Sequence, residues 1–156
     1  MEPYNLKPIY FHFKHSKCYT HFRIMGDFNP ITISEILELK PEKFWKMGDK
    51  RKNGTTYSFS SWNFGNCNDY DITVSNQIIK TITPLLSKIE KLKEIKKMFN
   101  VNFALIIVPY VRFDETIPDL SPSKEIIKFC YETDTDLVID LYVSAPDSLH
   151  NNVWEE

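Results

Sequence analysis

Glycine is scarce in this chain, with four in 156 residues. That argues against the Gly-rich loops that cradle phosphates. Nucleophile and nucleotide signatures are missing too: there is no GxSxG, no HExxH and no Walker lysine in a glycine-rich loop. No residue set stands out as catalytic, so the reading leans away from an enzyme. Cysteine is limited to Cys18, Cys67 and Cys130, odd in number, widely separated and without a CxxC spacing. They read as reduced cytosolic thiols, with no disulfide framework and no structural zinc. Long apolar runs are absent. The longest, near residues 103–108, is far short of the roughly 20 residues that a membrane span needs. The opening MEPYNLKPIYFHFKHSK lacks the apolar stretch of a signal peptide. The expectation is a cytoplasmic protein with no cofactor.

What is present looks globular. Hydrophobic residues make up 42% and charged residues 26%, which fits a packed core and not disorder. Aromatics at 14% suit a well-packed sheet or a binding surface. The length suits one domain, read here as residues 1–146, with 147–156 as a polar tail. The net charge of −2 is unevenly divided. Residues 114–156 hold eleven acids against Lys124 and Lys128, a balance of −9, and the rest carries +7. Such asymmetry marks either a charged partner or two ends that neutralise each other.

Alternation from Ile9 to Met25 predicts a hairpin turning at Ser16-Lys17, with Cys18, Thr20, Phe22 and Ile24 on one face and Tyr19, His21 and Arg23 on the other. Thr32 and Glu35 read as a capping box for a helix through ISEILEL that Pro41 stops. Residues 42–56 read as an exposed basic loop anchored by Phe44 and Trp45, and 57–64 as a strand. Asp71 is expected to cap a long helix that breaks near Pro84. A second helix over 88–99 places Ile89, Leu92, Ile95 and Met98 on its inner side. Residues 101–113 read as a central strand, with Pro109 at an edge or bulge. Ser121 caps a further helix whose Ile126, Ile127 and Cys130 face inward, and 136–143 read as a buried strand. The predicted fold class is α+β: a mixed, largely antiparallel sheet of four or five strands, with the helices mainly on one face.

Several constellations carry possible chemistry. His12, His15, Cys18 and His21 recur every third residue. On a hairpin they fall on opposite faces, which leaves at most a two-histidine metal site of His12 and His21, where three or four ligands are the rule. Asp140 interrupts an apolar strand. It must face solvent or hold a partner, with Arg23 and Arg112 both open for the role. Lys46, Lys50, Arg51 and Lys52 beside Trp45 offer a nucleic-acid surface over 43–52, although Glu42 and Asp49 interrupt it. Trp45 reads equally as a core and an interface anchor, and Trp62 as core.

The strand Phe22-Arg23-Ile24, then Gly26-Asp27, the helix over 33–39, Pro41, Gly48-Asp49, Trp62 and the closing strand 139–143 together resemble the bacterial family catalogued as domain of unknown function 4279. The resemblance spans roughly residues 18–144 of this chain. It implies a compact α+β domain and no particular reaction, cofactor or catalytic residue.

The leading functional expectation is a non-enzymatic protein-binding module, such as an immunity-type inhibitor of a basic toxin domain. Its binding residues would be Trp45, Asp114, Glu115, Asp119, Asp134 and Asp136, since acidic surfaces speed capture of basic partners. The alternatives are a small enzyme or small-molecule-binding domain, using a pocket between helices and sheet, and nucleic-acid binding through the basic loop.

Overall fold

The structure is a computed structural model, and it describes residues 16–67 and 73–144. Ten elements follow one another among the described residues. They are β1 (Lys17–Gly26), α1 (Pro30–Leu37), β2 (Lys43–Trp45), β3 (Ser60–Cys67), α2 (Val74–Leu86), α3 (Ile89–Met98), β4 (Val101–Val111), α4 (Lys124–Thr133), β5 (Thr135–Ile139) and β6 (Tyr142–Val143). One sheet runs in the order β2-β3-β1-β4-β5, and β6 also pairs with β4. The pairs are antiparallel as far as β4. β5 and β6 join β4 in parallel, as a return through a helix requires. The fold is thus mixed α+β, with four helices among the described residues.

The period-two pattern of β1 decides which side is core. Phe22 and Ile24 are fully buried, together with Trp62 of β3 and Phe103, Leu105 and Ile107 of β4. Ile33 and Leu37 of α1, Ile78, Ile82 and Leu85 of α2, Leu92 and Ile95 of α3, and Ile126 and Phe129 of α4 pack in the same cluster. All four helices therefore cover one face. The other face carries a smaller apolar set, Ala104, Ile106 and Val108, flanked by Tyr19, Met25, Tyr110 and Tyr142.

Local chemistry refines several boundaries. The cap of α1 is Asn29, not Thr32: its side chain accepts from the Ile31 amide at 3.1 Å, and Pro30 takes the first helical position. That helix ends at Glu38, in the left-handed region (φ 54°), three residues before Pro41. The expected Asp71 cap lies outside the described residues, and Thr73 caps α2, accepting from Asn76 at 3.3 Å. Pro84 sits within the last turn of α2, and the break falls at Ser87-Lys88. Ser123, not Ser121, caps α4. Phe129 takes the inward place expected of Ile127, which is exposed, as is Met98. Residues 42–56 are not all loop, since β2 pairs with β3. The strand expected from Tyr57 begins at Ser60.

The predicted buried strand over 136–143 is an exposed edge instead, split into β5 and β6. Pro109 explains the split. The carbonyls of Ile107 and Val111 accept from Asp140 and Ser144, so Pro109, at the same parity, also faces this side. Proline has no amide to give there, and the ladder lapses at Asp140-Leu141. The N-terminal half of the expected hairpin, with His12 and His15, and the tail lie outside the described residues.

Candidate functional site

A cavity of about 290 Å³ opens on the helix-free face. Its walls come from three adjacent strands, and strand register brings them together. Arg23 of β1 stands opposite Asn63 of β3, and Asn63 opposite Lys43 of β2. Trp45 is two residues from Lys43 and so projects from the same face. Tyr19 and His21 precede Arg23 at the same parity.

Arg23 is the centre of this group. Its Nε donates to Asn63 Oδ1 at 2.8 Å, and the Ser61 hydroxyl donates to the same oxygen at 3.3 Å. Its Nη2 lies 3.1 Å from His21 Nε2. A guanidinium only donates, so His21 Nε2 must accept, and the imidazole carries its proton on Nδ1. Burial pushes His21 down to about 4, and the adjacent Arg23 charge acts in the same direction. The ring is neutral at ordinary pH. Burial also lowers the Arg23 pKa, but an arginine stays charged. Arg23 makes no ion pair among the described residues, and its Nη1 has no hydrogen-bond partner there. The Glu42 carboxylate lies at the cavity wall and is exposed.

The rings of Tyr19, His21, Trp45 and Phe64 also line the cavity, and further rings stack beside them. Tyr142, Tyr110, Tyr19 and His21 make a stacked ladder with centroid spacings of 5.0, 6.1 and 6.0 Å. Burial, then Tyr110, pushes the Tyr19 phenol up to about 12, so it stays protonated. Trp45 stacks on Tyr57 at 4.7 Å, and the Lys43 ammonium lies 5.6 Å from its ring centre. The Trp45 Nε1 is buried and has no hydrogen-bond partner among the described residues. The cavity wall thus combines a guanidinium, an ammonium and aromatic side chains.

The chain matches the family model described as domain of unknown function (DUF4279) over residues 16–144. The chain belongs to the DUF4279 family. No curated protein and no solved structure matches it.

In this DUF4279 domain the residues expected to bind a protein do not converge. Trp45 lines the cavity. Asp114 and Glu115 follow β4 and engage Arg112: Arg112 donates to Asp114 at 2.7 and 2.8 Å, and Glu115 lies at 3.7 Å. Arg112 holds the Asp114 carboxyl below its usual range. Asp119 accepts from the Ser121 amide at 2.9 Å. Asp134 ends α4 in the left-handed region (φ 50°) and is ion-paired with Lys96. Asp136 stands on β5, at the far end of the row Lys43-Asn63-Arg23-Ala104. Asp140 is exposed and accepts from the Tyr142 hydroxyl at 3.0 Å, with neither arginine bonded to it. In the basic loop, Arg51 covers the Tyr57 ring at 4.6 Å, so two of the rings suited to base stacking are already engaged.

The sequence singles out His21 as half of a two-histidine metal site and Arg23 as a partner for Asp140, but it does not group them with Asn63 as one site. The signal for two of them was there: the alternation of β1 put Tyr19, His21 and Arg23 on one face, and a charge in mid-strand needs a reason. The expected pocket between helices and sheet is not where the polar groups converge. They converge on the opposite face.

Proposed function

We propose that this domain is a small-molecule-binding module whose cavity takes a compact ligand carrying an anionic group on an apolar or aromatic body. The observation that carries this reading is Arg23: a half-buried cation, held in place by Asn63 and His21, with no direct ion pair among the described residues, where the Asp140 carboxylate acts on its charge without bonding to it. A charge withdrawn from water without a partner is costly, and a bound anion relieves that cost. A carboxylate or phosphate oxygen at Nη1 would complete the fork of the guanidinium. Lys43 at the rim adds attraction, and the Trp45 and Tyr19 side chains in the wall give apolar contact to the body of the ligand. The volume lies near the lower end of small-molecule sites, about 300–1,000 Å³, so the ligand is small.

Binding suits this geometry better than proton transfer. The His21 lone pair is spent on Arg23, and its low pKa places it far from the near-neutral value of an efficient general base.

Calorimetric titration with benzoate, phenyl phosphate and neutral benzamide tests the reading. At least one of the two anions should bind, and benzamide should not. Arg23→Gln should weaken the anion by about tenfold or more, as expected for a lost charge-assisted pair. Arg23→Lys, which keeps the charge and the fold, should lose less. Equal heats for benzamide and the anions, or an unchanged affinity in Arg23→Gln, would contradict it.

A further inference from the structure

Among the described residues, β5 is the edge strand of the sheet. β4 fills one side of it, and nothing among the described residues pairs with the other. The ladder shows which groups are left over. The Asp140 amide donates to the Ile107 carbonyl at 2.9 Å, so residues 136, 138 and 140 turn their backbone groups toward β4. Thr135, Leu137 and Ile139 therefore turn theirs to the open edge. Such an edge is a template for another strand, and β5 carries no lysine, proline or bulge to blunt it.

The side chains beside this edge form a seat. Leu137 pairs with Leu105, which faces the helices, so Leu137 lies on the α4 side. It is 38% exposed, and Ile127 and Tyr131 of α4 are 54% and 86% exposed. Between α4 and β5 runs a groove of about 420 Å³ lined by these three residues with Cys130, Asp134 and Thr135. A groove between a helix and an open strand edge fits an added strand. Main-chain bonds then supply affinity, and alternate side chains supply specificity.

Charge identifies the occupant. Asp136 projects on the other face of β5, is exposed and has no cationic partner among the described residues. The Asp140 carboxylate, just beyond β5, accepts from the Tyr142 hydroxyl and has no ion pair among the described residues. We infer that the α4–β5 groove takes an extended segment of a partner protein in which apolar and basic residues alternate. The apolar residues seat against Ile127, Tyr131 and Leu137, and the lysines or arginines face Asp136. A second copy of this chain is a poor occupant, because its own edge would bring Asp136 and Asp140 to an already acidic rim.

The full chain can be tested with a labelled, end-blocked nonapeptide of alternating valine and lysine, by fluorescence anisotropy and amide hydrogen exchange. Binding that slows exchange at Leu137 and Ile139 and weakens with added salt is the expected result. Asp136→Lys, an exposed change that leaves the core alone, should weaken binding about tenfold or more. A valine–glutamate peptide and a proline-interrupted version should not bind. The inference is overturned by unprotected β5 amides, by equal affinity of Asp136→Lys, or by a peptide-free dimer that protects the same amides.

Discussion

Arg23 and His21 each make sense only through the other. The arginine orients the imidazole and fixes its tautomer, and the imidazole nitrogen accepts a hydrogen bond from the guanidinium away from water. The pair has a consequence for pH. A buried histidine with a lowered pKa binds its proton less readily folded than unfolded. Its contribution to stability is complete above about pH 6.5, the unfolded value, and is lost as pH falls toward about 4. Each pH unit across that window costs at most about 1.4 kcal/mol. Denaturant melts of the wild type and His21→Gln at pH 7, 6, 5 and 4 should converge as pH falls, because the variant lacks this slope. Parallel stability curves would mean that His21 titrates normally. At Cys130, burial pushes the thiol up to about 11. Little thiolate exists at neutral pH, so iodoacetamide should modify it far more slowly than a free thiol. Labelling followed by mass spectrometry measures this.

Between elements, α2 crosses β3 and β1 at close range, and Gly65 permits it. It has φ 76°, and a Cβ there would stand 2.9 Å from Thr81 Cγ2. Thr81 uses that proximity, donating to the Gly65 carbonyl at 2.8 Å and meeting the Thr20 hydroxyl at 2.7 Å. Gly65→Ala combines a left-handed backbone with a clash and should cost about 2 kcal/mol or more, read as a lowered urea midpoint. An unchanged midpoint would mean that α2 is not held so tightly. At β3, the Trp62 indole donates to the Ser34 hydroxyl at 2.9 Å and pins α1 over the sheet. Ser34→Ala should cost about 1 kcal/mol by stranding a buried donor, again by denaturant melt.

The elements were readable where the pattern is local. Alternation placed β1, and helical spacing placed α2, α3 and α4 within a few residues. Caps were misplaced because several Ser, Thr, Asn and Asp residues compete near each start, as Asn29 and Thr32 do, and only the backbone geometry chooses. The stretch LVIDLYV reads as a buried strand by composition alone. Burial depends on how many strands lie beyond it, and none does among the described residues.

At the scale of the molecule, the described helices close one face of the sheet and leave the other, among the described residues, to an aromatic ladder and a half-buried cation. The cavity joins β1, β3 and β2, which are distant in sequence, so its convergence follows from register and not from any motif. That is why Trp45 was visible as an anchor while its neighbours Asn63 and Arg23 were not. The −9 end of the chain is also less uniform than its composition suggests. Asp114, Glu115 and Asp134 are engaged by Arg112 and Lys96, and Asp136 is left at the β5 edge. The most direct test of the anion site is a side-chain nitrogen–proton NMR spectrum of the ¹⁵N-labelled protein during a benzoate titration, with benzamide as control. The Arg23 Nε and Trp45 Nε1 signals should move together and saturate with benzoate, and stay in place with benzamide. If both signals stay fixed while benzoate rises, or if benzamide moves them equally, the cavity does not bind anions at Arg23.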